Sequence, residues 1–369
     1  MKRIMIIAMV AAMLLGLCAC GTTEPTTTTG AKPVETASAT GEKPAETTAA
    51  ATQSPETTEA AITEAPATGA TLDDRIELRV FSLKGPTSMG ISTMLSDSEA
   101  GATYIQYVST VCTAADEVTA ALVNGEADVA MLPANAAAAL YNKAGGFSVV
   151  AINTLGVLYV VENGDTIHSI QDLAGKTVCM TGKGTTPEYA LRYLLAANGI
   201  EDQVTLEFKS EAQEVVAAMG EDVAMIGLLP QPFVTAAMMQ NDQLRIALDL
   251  TQEWKAVSDG ASLVTGVTVV RNEILEQYPG VVSSLISDCT DGVNNVNADP
   301  AAAAELIVNM GIVAKAPIAE KAVPYCNLVC ISGEEMKTLL SAYLQSLYDQ
   351  NSKAVGEKMP DDAFYYTGE

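Results

Sequence analysis

Apolar residues recur along residues 76–250 with two spacings, every second position in short runs and every third or fourth position in longer ones. The first spacing is typical of strands and the second of amphipathic helices. The first part of the pattern predicts strands at 76–81, 104–108, 128–132, 149–152 and 155–161, and helices at 89–95, 114–123 and 135–143. Such alternation predicts an open, mostly parallel sheet with helices on its faces.

The alternation restarts near residue 176. Further strands are predicted at 176–180, 204–208, 223–228 and 244–250, with helices at 187–198, 212–219 and 233–239. A returning strand at 263–271 precedes a mainly helical end, with helices at 281–296, 301–310 and 334–349. We therefore expect an α/β protein of two lobes: lobe I begins with 72–158, lobe II is 159–250, and 251–369 crosses back onto lobe I.

The first 71 residues have a different pattern. Lys2-Arg3, an apolar run and Leu17-Cys18-Ala19-Cys20 resemble a secretory signal at 1–19 that ends in a bacterial lipobox, with Cys20 as the lipidated residue. An ordinary signal peptide with an incidental Cys20 is the alternative. The rest, 21–71, is almost wholly Thr, Ala, Glu, Pro, Ser and Gly, which predicts a disordered tether. We expect an exported protein, held by lipid on the extracytoplasmic face of the cell membrane.

Charge and cysteine content narrow the class of protein. A formal net charge of -25 without a basic cluster argues against nucleic-acid binding. Beyond Cys20 the cysteines are odd in number, so at least one thiol is expected to be free: Cys112, Cys179, Cys289, Cys326 and Cys330. Cys326 and Cys330 could form a disulfide bond or bind a metal. The default interpretation is that they are buried and act as small apolar residues. With His168 as the single histidine, we expect no metal site, no cofactor and no catalytic constellation.

Four loops follow predicted strands, and in an open parallel sheet these loops border the ligand crevice. They supply the candidate ligand-binding residues Gly85, Pro86, Thr87, Ser88, Pro133, Asn135, Thr181, Gly182, Gly184, Thr185, Thr186 and Gln231. Trp254 is added because it follows the 244–250 strand, where the chain recrosses between lobes. It either stacks on a ligand or packs between the lobes.

The Gly-rich turn at 181–186 has two interpretations. Its spacing is not that of a Walker loop. Thr186 before Pro187, or Thr185 with Glu188, can simply cap the following helix. Alternatively, the same hydroxyl and amide groups bind a polar or anionic group at the helix N-terminus.

Several landmarks in this order resemble the SsuA/THI5/NMT1-like family of substrate-binding proteins of ABC importers. They are Gly85-Pro86-Thr87, Gly125-Glu126-Ala127-Asp128-Val129-Ala130, Pro133-Ala134-Asn135, Ile170-Gln171-Asp172-Leu173-Ala174-Gly175-Lys176 and Gly182-Lys183-Gly184-Thr185-Thr186. The resemblance implies a type II periplasmic-binding-protein fold, in which two open mixed sheets flanked by helices close by a hinge on a ligand cleft. It also implies a monomer that delivers a small solute to a membrane permease; relatives bind sulfonates, taurine, nitrate, bicarbonate or pyrimidine precursors of thiamine.

Two departures from the family bear on function. The chain lacks the cysteine-rich CCCxC-type motif of the enzymatic branch, so a receptor without chemistry of its own is the leading hypothesis. None of the four loops contains an arginine, which favours a neutral or modestly polar organic ligand, or an anion held by helix N-termini. An exported ligand sensor and a menaquinone-pathway-like enzyme of the same fold are the alternatives.

Overall fold

The computed structural model describes residues 75–258 and 261–368. The predicted signal peptide, Cys20 and the tether lie outside the described residues. The strands are β1 (Ile76–Leu83), β2 (Ile105–Cys112), β3 (Val129–Pro133), β4 (Phe147–Thr154), β5 (Leu158–Asn163), β6 (Thr177–Met180), β7 (Thr205–Phe208), β8 (Ile226–Pro230), β9 (Leu244–Asp249), β10 (Gly266–Arg271) and β11 (Leu328–Ser332).

The helices alternate with these strands up to β10 and dominate after it. They are α1 (Pro86–Met89), α2 (Ser92–Glu99), α3 (Ala115–Val123), α4 (Ala134–Ala144), α5 (Thr186–Ala197), α6 (Ala212–Glu221), α7 (Phe233–Gln240), α8 (Leu250–Val257), α9 (Asn272–Gln277), α10 (Val281–Ala298), α11 (Pro300–Asn309), α12 (Ala316–Ala322) and α13 (Gly333–Gln350).

Two sheets form the centres of two α/β lobes, which confirms the predicted fold class. The first sheet has the order β11-β4-β10-β3-β1-β2, and the second has the order β7-β6-β8-β5-β9. In the first, β1 runs parallel to β2 and β3, whereas β10 is antiparallel to β3 and β4. In the second, β6 runs parallel to β7 and β8, and β5 is antiparallel to β8 and β9. Both sheets are therefore mixed, because β10 and β11 run against the other strands of the first sheet and β5 runs against the other strands of the second.

The chain passes twice between the sheets, once between β4 and β5 and once between α8 and β10. All eight residues of β4 are buried, as expected of a strand covered on both faces. The largest hydrophobic cluster contains buried residues of both lobes, among them Leu132, Leu158, Leu194 and Tyr343. The lobes therefore share a continuous apolar contact beside the crossovers.

Two of the family-like sequence landmarks stabilise the fold. Asp128 accepts hydrogen bonds from Arg79 Nη2 at 2.7 Å and Nε at 2.9 Å and from Arg271 Nη2 at 3.1 Å, which joins β1, β3 and β10. Asp172 Oδ2 accepts from the backbone N–H groups of His168 and Ser169, both at 2.9 Å, and so begins the short 3-10 turn at Ile170–Leu173. Both carboxylates therefore accept their hydrogen bonds from groups of the protein itself.

Several predicted boundaries are wrong for identifiable reasons. The predicted helix at 89–95 is two helices, since the chain breaks between α1 and α2 at Gly90 and Ile91. β2 extends to Cys112 because it pairs with β1 along its whole length. The strand predicted at 155–161 begins only at Leu158, after the crossover. β9 ends at Asp249, whose side chain accepts from Thr251 N at 2.8 Å and starts α8.

The pattern after residue 271 underestimated the strand content. β11 was predicted as part of a helical region, but it pairs antiparallel with β4 at the edge of the first sheet. The short helices α9 and α12 were also missed. The five described cysteines are free thiols, so Cys326 and Cys330 do not pair with each other. No helix among the described residues is long and apolar enough to cross a membrane.

Candidate functional site

Polar residues of both lobes meet where the parallel strands of each sheet end. In lobe I, β1, β3 and β4 end on the same edge as the start of β10. In lobe II, β6 and β8 end beside the start of β5. Because both crossovers leave from these edges, the edges form the two sides of the candidate ligand site, which we call the interlobe edge.

The first candidate loop folds back on its own strand. Thr87 Oγ1 donates to the carbonyl oxygen of Leu83 at 2.7 Å, and Ser88 Oγ lies 2.7 Å from both Ser82 Oγ and the Leu83 carbonyl oxygen. Thr87 and Ser88 are buried, at 8% and 0% exposure. Because a hydroxyl has one hydrogen to donate, the remaining capacity of Thr87 Oγ1 is that of an acceptor. Gly85 has φ 136°, a conformation that glycine adopts readily.

A second polar group, missed by the sequence analysis, adjoins Thr87. Asn153 Nδ2 donates to Thr268 Oγ1 at 3.1 Å, and Thr154 Oγ1 donates to Asn153 Oδ1 at 2.9 Å. A Cβ atom on Gly266 would lie 2.4 Å from Asn153 Oδ1 and 2.7 Å from Thr87 Cγ2. Gly266 is therefore the residue that lets Thr87 and Asn153 approach. Asn153 and Thr154 fall in the gap between the predicted strands at 149–152 and 155–161, so the apolar pattern does not single them out.

Hydrogen bonds hold the crossovers together at this edge. The N–H of Leu155 donates to the carbonyl oxygen of Asn327 at 3.1 Å, and Asn327 Nδ2 donates back to the carbonyl oxygen of Gly156 at 2.5 Å. From the second crossover, the N–H of Thr265 donates to the Thr154 carbonyl oxygen at 3.0 Å. A Cβ on Gly156 would lie 2.1 Å from Thr251 Oγ1, so only glycine fits there.

Gln231 of lobe II contributes a buried donor without a partner. Its backbone N–H donates to the carbonyl oxygen of Val157 at 3.0 Å, which places it beside the first crossover. Its Oε1 accepts from Thr235 Oγ1 at 2.9 Å and from Thr235 N at 3.3 Å. Its side-chain Nε2 has no hydrogen-bond partner, although the residue is 1% exposed. An unpaired buried amide is unfavourable, so this donor is a candidate ligand contact.

Two other predicted loops contact each other across the lobes. Thr186 Oγ1 at the start of α5 donates to Asn135 Oδ1 at the start of α4 at 3.1 Å. Asn135 Nδ2 in turn donates to the carbonyl oxygen of Ala354 at 3.4 Å. Asn135 and Thr186 are 4% and 2% exposed. Pro133, the residue before α4, is partly buried. The structure thus gives Asn135 and Thr186 a contact that joins lobe I to lobe II.

The Gly-rich turn is closed by a carboxylate of its own helix. Glu188 accepts from Gly184 N at 2.7 Å and from Arg192 Nε at 2.8 Å. Burial opposes the charged form of Glu188, but these hydrogen bonds leave its pKa below the ordinary value. Thr185 Oγ1 donates to the Gly182 carbonyl oxygen at 2.8 Å instead of capping the helix. The Gly184 N–H is thereby occupied, while Thr181 and Gly182 remain partly buried beside it.

The positive φ angles of Gly182 and Gly184, 79° and 74°, explain the glycines of this turn. Lys183 Nζ lies 5.8 Å from the ring centre of Phe208, and the side chain is exposed. Trp254 is fully buried on α8. Its ring stacks on Tyr193 at 4.2 Å between centroids and lies 5.6 Å from Tyr343 of α13, which agrees with the interlobe packing alternative.

A groove of about 320 Å³ lies beside α5, whose Glu188 also closes the Gly-rich turn. It is lined by Glu188, Tyr189, Arg192, Glu201, Gln350 and Asn351. Arg192 forms ion pairs there with Glu188 and Glu201, at 2.8 and 3.6 Å. His168 is exposed and remote from these residues in sequence. Within 75–258 and 261–368, no group of three His, Cys, Asp or Glu residues could hold a metal ion.

Comparison with known proteins gives the family. The model of the phosphonate periplasmic substrate-binding proteins of ABC transporters matches residues 91–285, more than half of the chain. The chain belongs to this family. Its members are periplasmic substrate-binding components of ABC transporters, which agrees with the receptor predicted from the sequence. The matched residues include strands of both sheets and both crossovers.

Solved structures show that this substrate-binding protein shares its fold with distant relatives. An ABC transporter protein from Parabacteroides distasonis has a TM-score of 0.69 at 22% identity, covering 80% of this chain and 100% of that chain. The aliphatic sulphonate binding protein SsuA from Escherichia coli has a TM-score of 0.61 at 13% identity, covering 79% and 94%. The desulfurization enzyme DSZB has a TM-score of 0.54 at 15% identity, covering 80% and 97%. No curated protein matches the chain in sequence.

Proposed function

We propose that this substrate-binding protein is a lipoprotein, anchored through Cys20, that captures a small organic solute at the interlobe edge and delivers it to the permease of an ABC importer. The solute carries a sulfonate, phosphonate or similar oxyanion group, together with a hydrogen-bond donor such as an amine. The protein acts as a monomer and catalyses no reaction. The candidate ligand-binding residues from the sequence, apart from the fully buried Trp254, remain part of this proposal.

The observation that carries the proposal is the buried, unpartnered Nε2 of Gln231. This N–H₂ group is a donor, so it requires an acceptor, and an oxyanion oxygen is a strong one. Gln231 borders the first crossover through Val157, and the same crossover begins directly after Asn153 and Thr154. Gln231 and the pair Asn153 and Thr154 thus flank the short first crossover, which supports a ligand site there.

Helix orientation supports an anionic group. α4 begins at the end of β3 in lobe I, and α7 begins shortly after the end of β8 in lobe II. Each helix N-terminus carries partial positive charge, which favours an anion without an arginine. The start of α5 is less available, because Glu188 already occupies the Gly184 N–H.

The acceptor character of Thr87 supports the second group of the solute. Its hydroxyl hydrogen is used by the Leu83 carbonyl oxygen, so Thr87 Oγ1 can only accept from a ligand. An amine or hydroxyl on the solute fits that requirement. An aminoalkyl sulfonate or phosphonate combines the donor with the oxyanion, which makes this class the first to test.

The family and the residues at this edge support binding without catalysis. The polar side chains described there are amides and hydroxyls, and none has a histidine as a base beside it. DSZB shares the fold, but a fold hosts unrelated activities and transfers none by itself.

The experiment is a calorimetric titration of the purified protein with taurine, 2-aminoethylphosphonate, methylphosphonate, nitrate and a thiamine-type pyrimidine. Gln231→Glu keeps the shape and the acceptor for Thr235 but replaces the donor by a carboxylate oxygen. A hydrogen bond to a charged group is worth about 1.5–3 kcal/mol, so affinity for the oxyanion solute should fall about 10- to 100-fold.

Gln240→Glu is the matched control, since Gln240 is exposed at the end of α7. It adds the same charge and should leave binding unchanged. If Gln231→Glu binds the solute as tightly as the wild type, the proposed contact is wrong. If only the pyrimidine binds, the proposed solute class is wrong.

A further inference from the structure

The strongest feature outside the ligand site is a pair of thiols in lobe I. Cys289 lies on α10 and is 6% exposed, with its Sγ 3.6 Å from Met94 Sδ. Cys330 lies on β11 and is partly buried against the same hydrophobic cluster. α10 packs on β11, and both thiols belong to one hydrophobic cluster although 40 residues separate them in the chain.

Cys330 of β11 contacts one particular turn of α10. Its Sγ lies 3.7 Å from the carbonyl oxygen of Ile286, which is one helical turn before Cys289 and Thr290. The Cys330 thiol therefore rests on the helical turn that carries Cys289. The neighbouring Cys289 thiol lowers the pKa of Cys330 to about 7, whereas the pKa of Cys289 is raised by the interaction and by burial.

From this geometry we infer that Cys289 and Cys330 form a disulfide bond when the protein is exposed to an oxidising disulfide, which links α10 to β11. Periplasmic proteins meet such oxidants, whereas cytosolic thiols stay reduced. The inference goes beyond solute binding and does not depend on which solute is bound.

The reaction is an ordinary thiol–disulfide exchange. The Cys330 thiolate attacks one sulfur of the oxidant disulfide, forms a mixed disulfide and releases one thiolate, which takes a proton from solvent. Cys289 then loses its proton and attacks Cys330 Sγ, forming the internal bond and releasing the second thiolate. Two protein thiols are oxidised, and one oxidant disulfide is reduced to two thiols.

The other cysteines provide the contrast. Cys112 and Cys179 are buried in other parts of the two sheets, at 8% and 0% exposure. Cys326 is fully buried, with its Sγ 3.2 Å from the carbonyl oxygen of Ala322 and 3.9 Å from Met89 Sδ. Burial alone raises the pKa of Cys326, so it is a poor attacking thiol.

The test uses the full chain, purified reduced and then incubated with oxidised glutathione. Free thiols are alkylated with N-ethylmaleimide in denaturant, and peptides are read by mass spectrometry before and after reduction. We expect Cys289 and Cys330 to resist alkylation until they are reduced, and to appear as one cross-linked peptide pair lighter by two hydrogens. Cys112, Cys179 and Cys326 should be alkylated throughout.

The variants Cys330→Ser and Cys289→Ser should abolish the cross-link, and Cys326→Ser should leave it intact. In Cys289→Ser, Cys330 should instead retain glutathione, because the resolving thiol is gone. Full alkylation of Cys289 and Cys330 after oxidation would overturn the inference, as would a bond that uses Cys326. Because the readout is chemical, it is independent of whether any solute binds.

Discussion

Replacing Gly266 by alanine tests the packing of the interlobe edge. An alanine Cβ would lie 2.4 Å from Asn153 Oδ1 and 2.7 Å from Thr87 Cγ2, whereas ordinary contacts begin near 3.4 Å. Asn153 Oδ1 must therefore retreat by about 1 Å and Thr87 Cγ2 by about 0.7 Å. Asn153 is held by Thr154 and Thr268, so its retreat weakens at least one hydrogen bond.

The expected loss in free energy of unfolding has two parts, the cost of overpacking and the weakening of that hydrogen bond. Inserting a methyl group into a packed region typically lowers the free energy of unfolding by about 1–3 kcal/mol, and a hydrogen bond is worth about 1 kcal/mol. We expect Gly266→Ala to lose about 2 kcal/mol, measured by urea denaturation. Because Thr87 and Asn153 move apart, affinity for the solute should also fall. Each 1.4 kcal/mol of binding free energy lost weakens binding about tenfold.

The matched control is Gly220→Ala in α6, where an added Cβ meets no heavy atom within 4 Å. Alanine is the better helix former, so this variant should gain about 0.5–1 kcal/mol. The packing argument is refuted if Gly266→Ala unfolds at the wild-type urea concentration with an unchanged slope while Gly220→Ala shows its gain.

Three further predictions follow from other contacts. Thr186→Val leaves Asn135 Oδ1 buried without its donor and should lower the free energy of unfolding by about 1–2 kcal/mol in urea; an unchanged midpoint would contradict the cross-lobe hydrogen bond. Burial opposes the ionised form of Asp128, yet hydrogen bonds from two arginines keep its pKa below the ordinary value. The stability that ionised Asp128 contributes is therefore complete above the unfolded pKa of about 4 and is lost as pH falls through the folded pKa. Thermal unfolding of Asp128→Asn should therefore begin from a lower midpoint and depend less on pH below about 4 than the wild type. The free energy of unfolding of the oxidised wild-type protein, measured in urea, should exceed that of Cys330→Ser by about 3–4 kcal/mol, the loop-closure value for about 40 residues. Equal free energies of unfolding would show that the bond adds strain.

The chain order of strands and helices was readable from the sequence because each element carries its own apolar spacing. The polar residues at the ends of strands were harder to assign. Asn153 and Thr154 fall between the predicted strands at 149–152 and 155–161, although β4 continues through them, because nothing local indicates that β10 pairs alongside. Pairing with a strand more than 100 residues later decides that boundary.

The Gly-rich turn shows a second limit of sequence reasoning. Both interpretations of residues 181–186 used hydroxyls and amides, and spacing alone did not decide between them. The structure assigns the Gly184 N–H to Glu188, a contact between residues four apart. The bond between Thr186 and Asn135, in contrast, depends on how two lobes approach, which no local pattern encodes.

The role of Trp254 also depends on contacts that no local pattern encodes. Its place after a strand near a crossover allows either ligand stacking or packing between the lobes, and the partner from the other lobe, Tyr343, comes from a helix 89 positions later in the chain. Residues whose role depends on the lobe interface are thus the ones that sequence alone left open.

The most direct test of the central claim is calorimetric titration of the purified wild-type chain with an aminoalkyl sulfonate and an aminoalkyl phosphonate, beside the variant Gln231→Glu. The account predicts saturable binding of one solute molecule per chain for at least one of the two, weakened about 10- to 100-fold by the substitution. Absence of binding to both solutes, or equal affinity in wild type and variant, would contradict it.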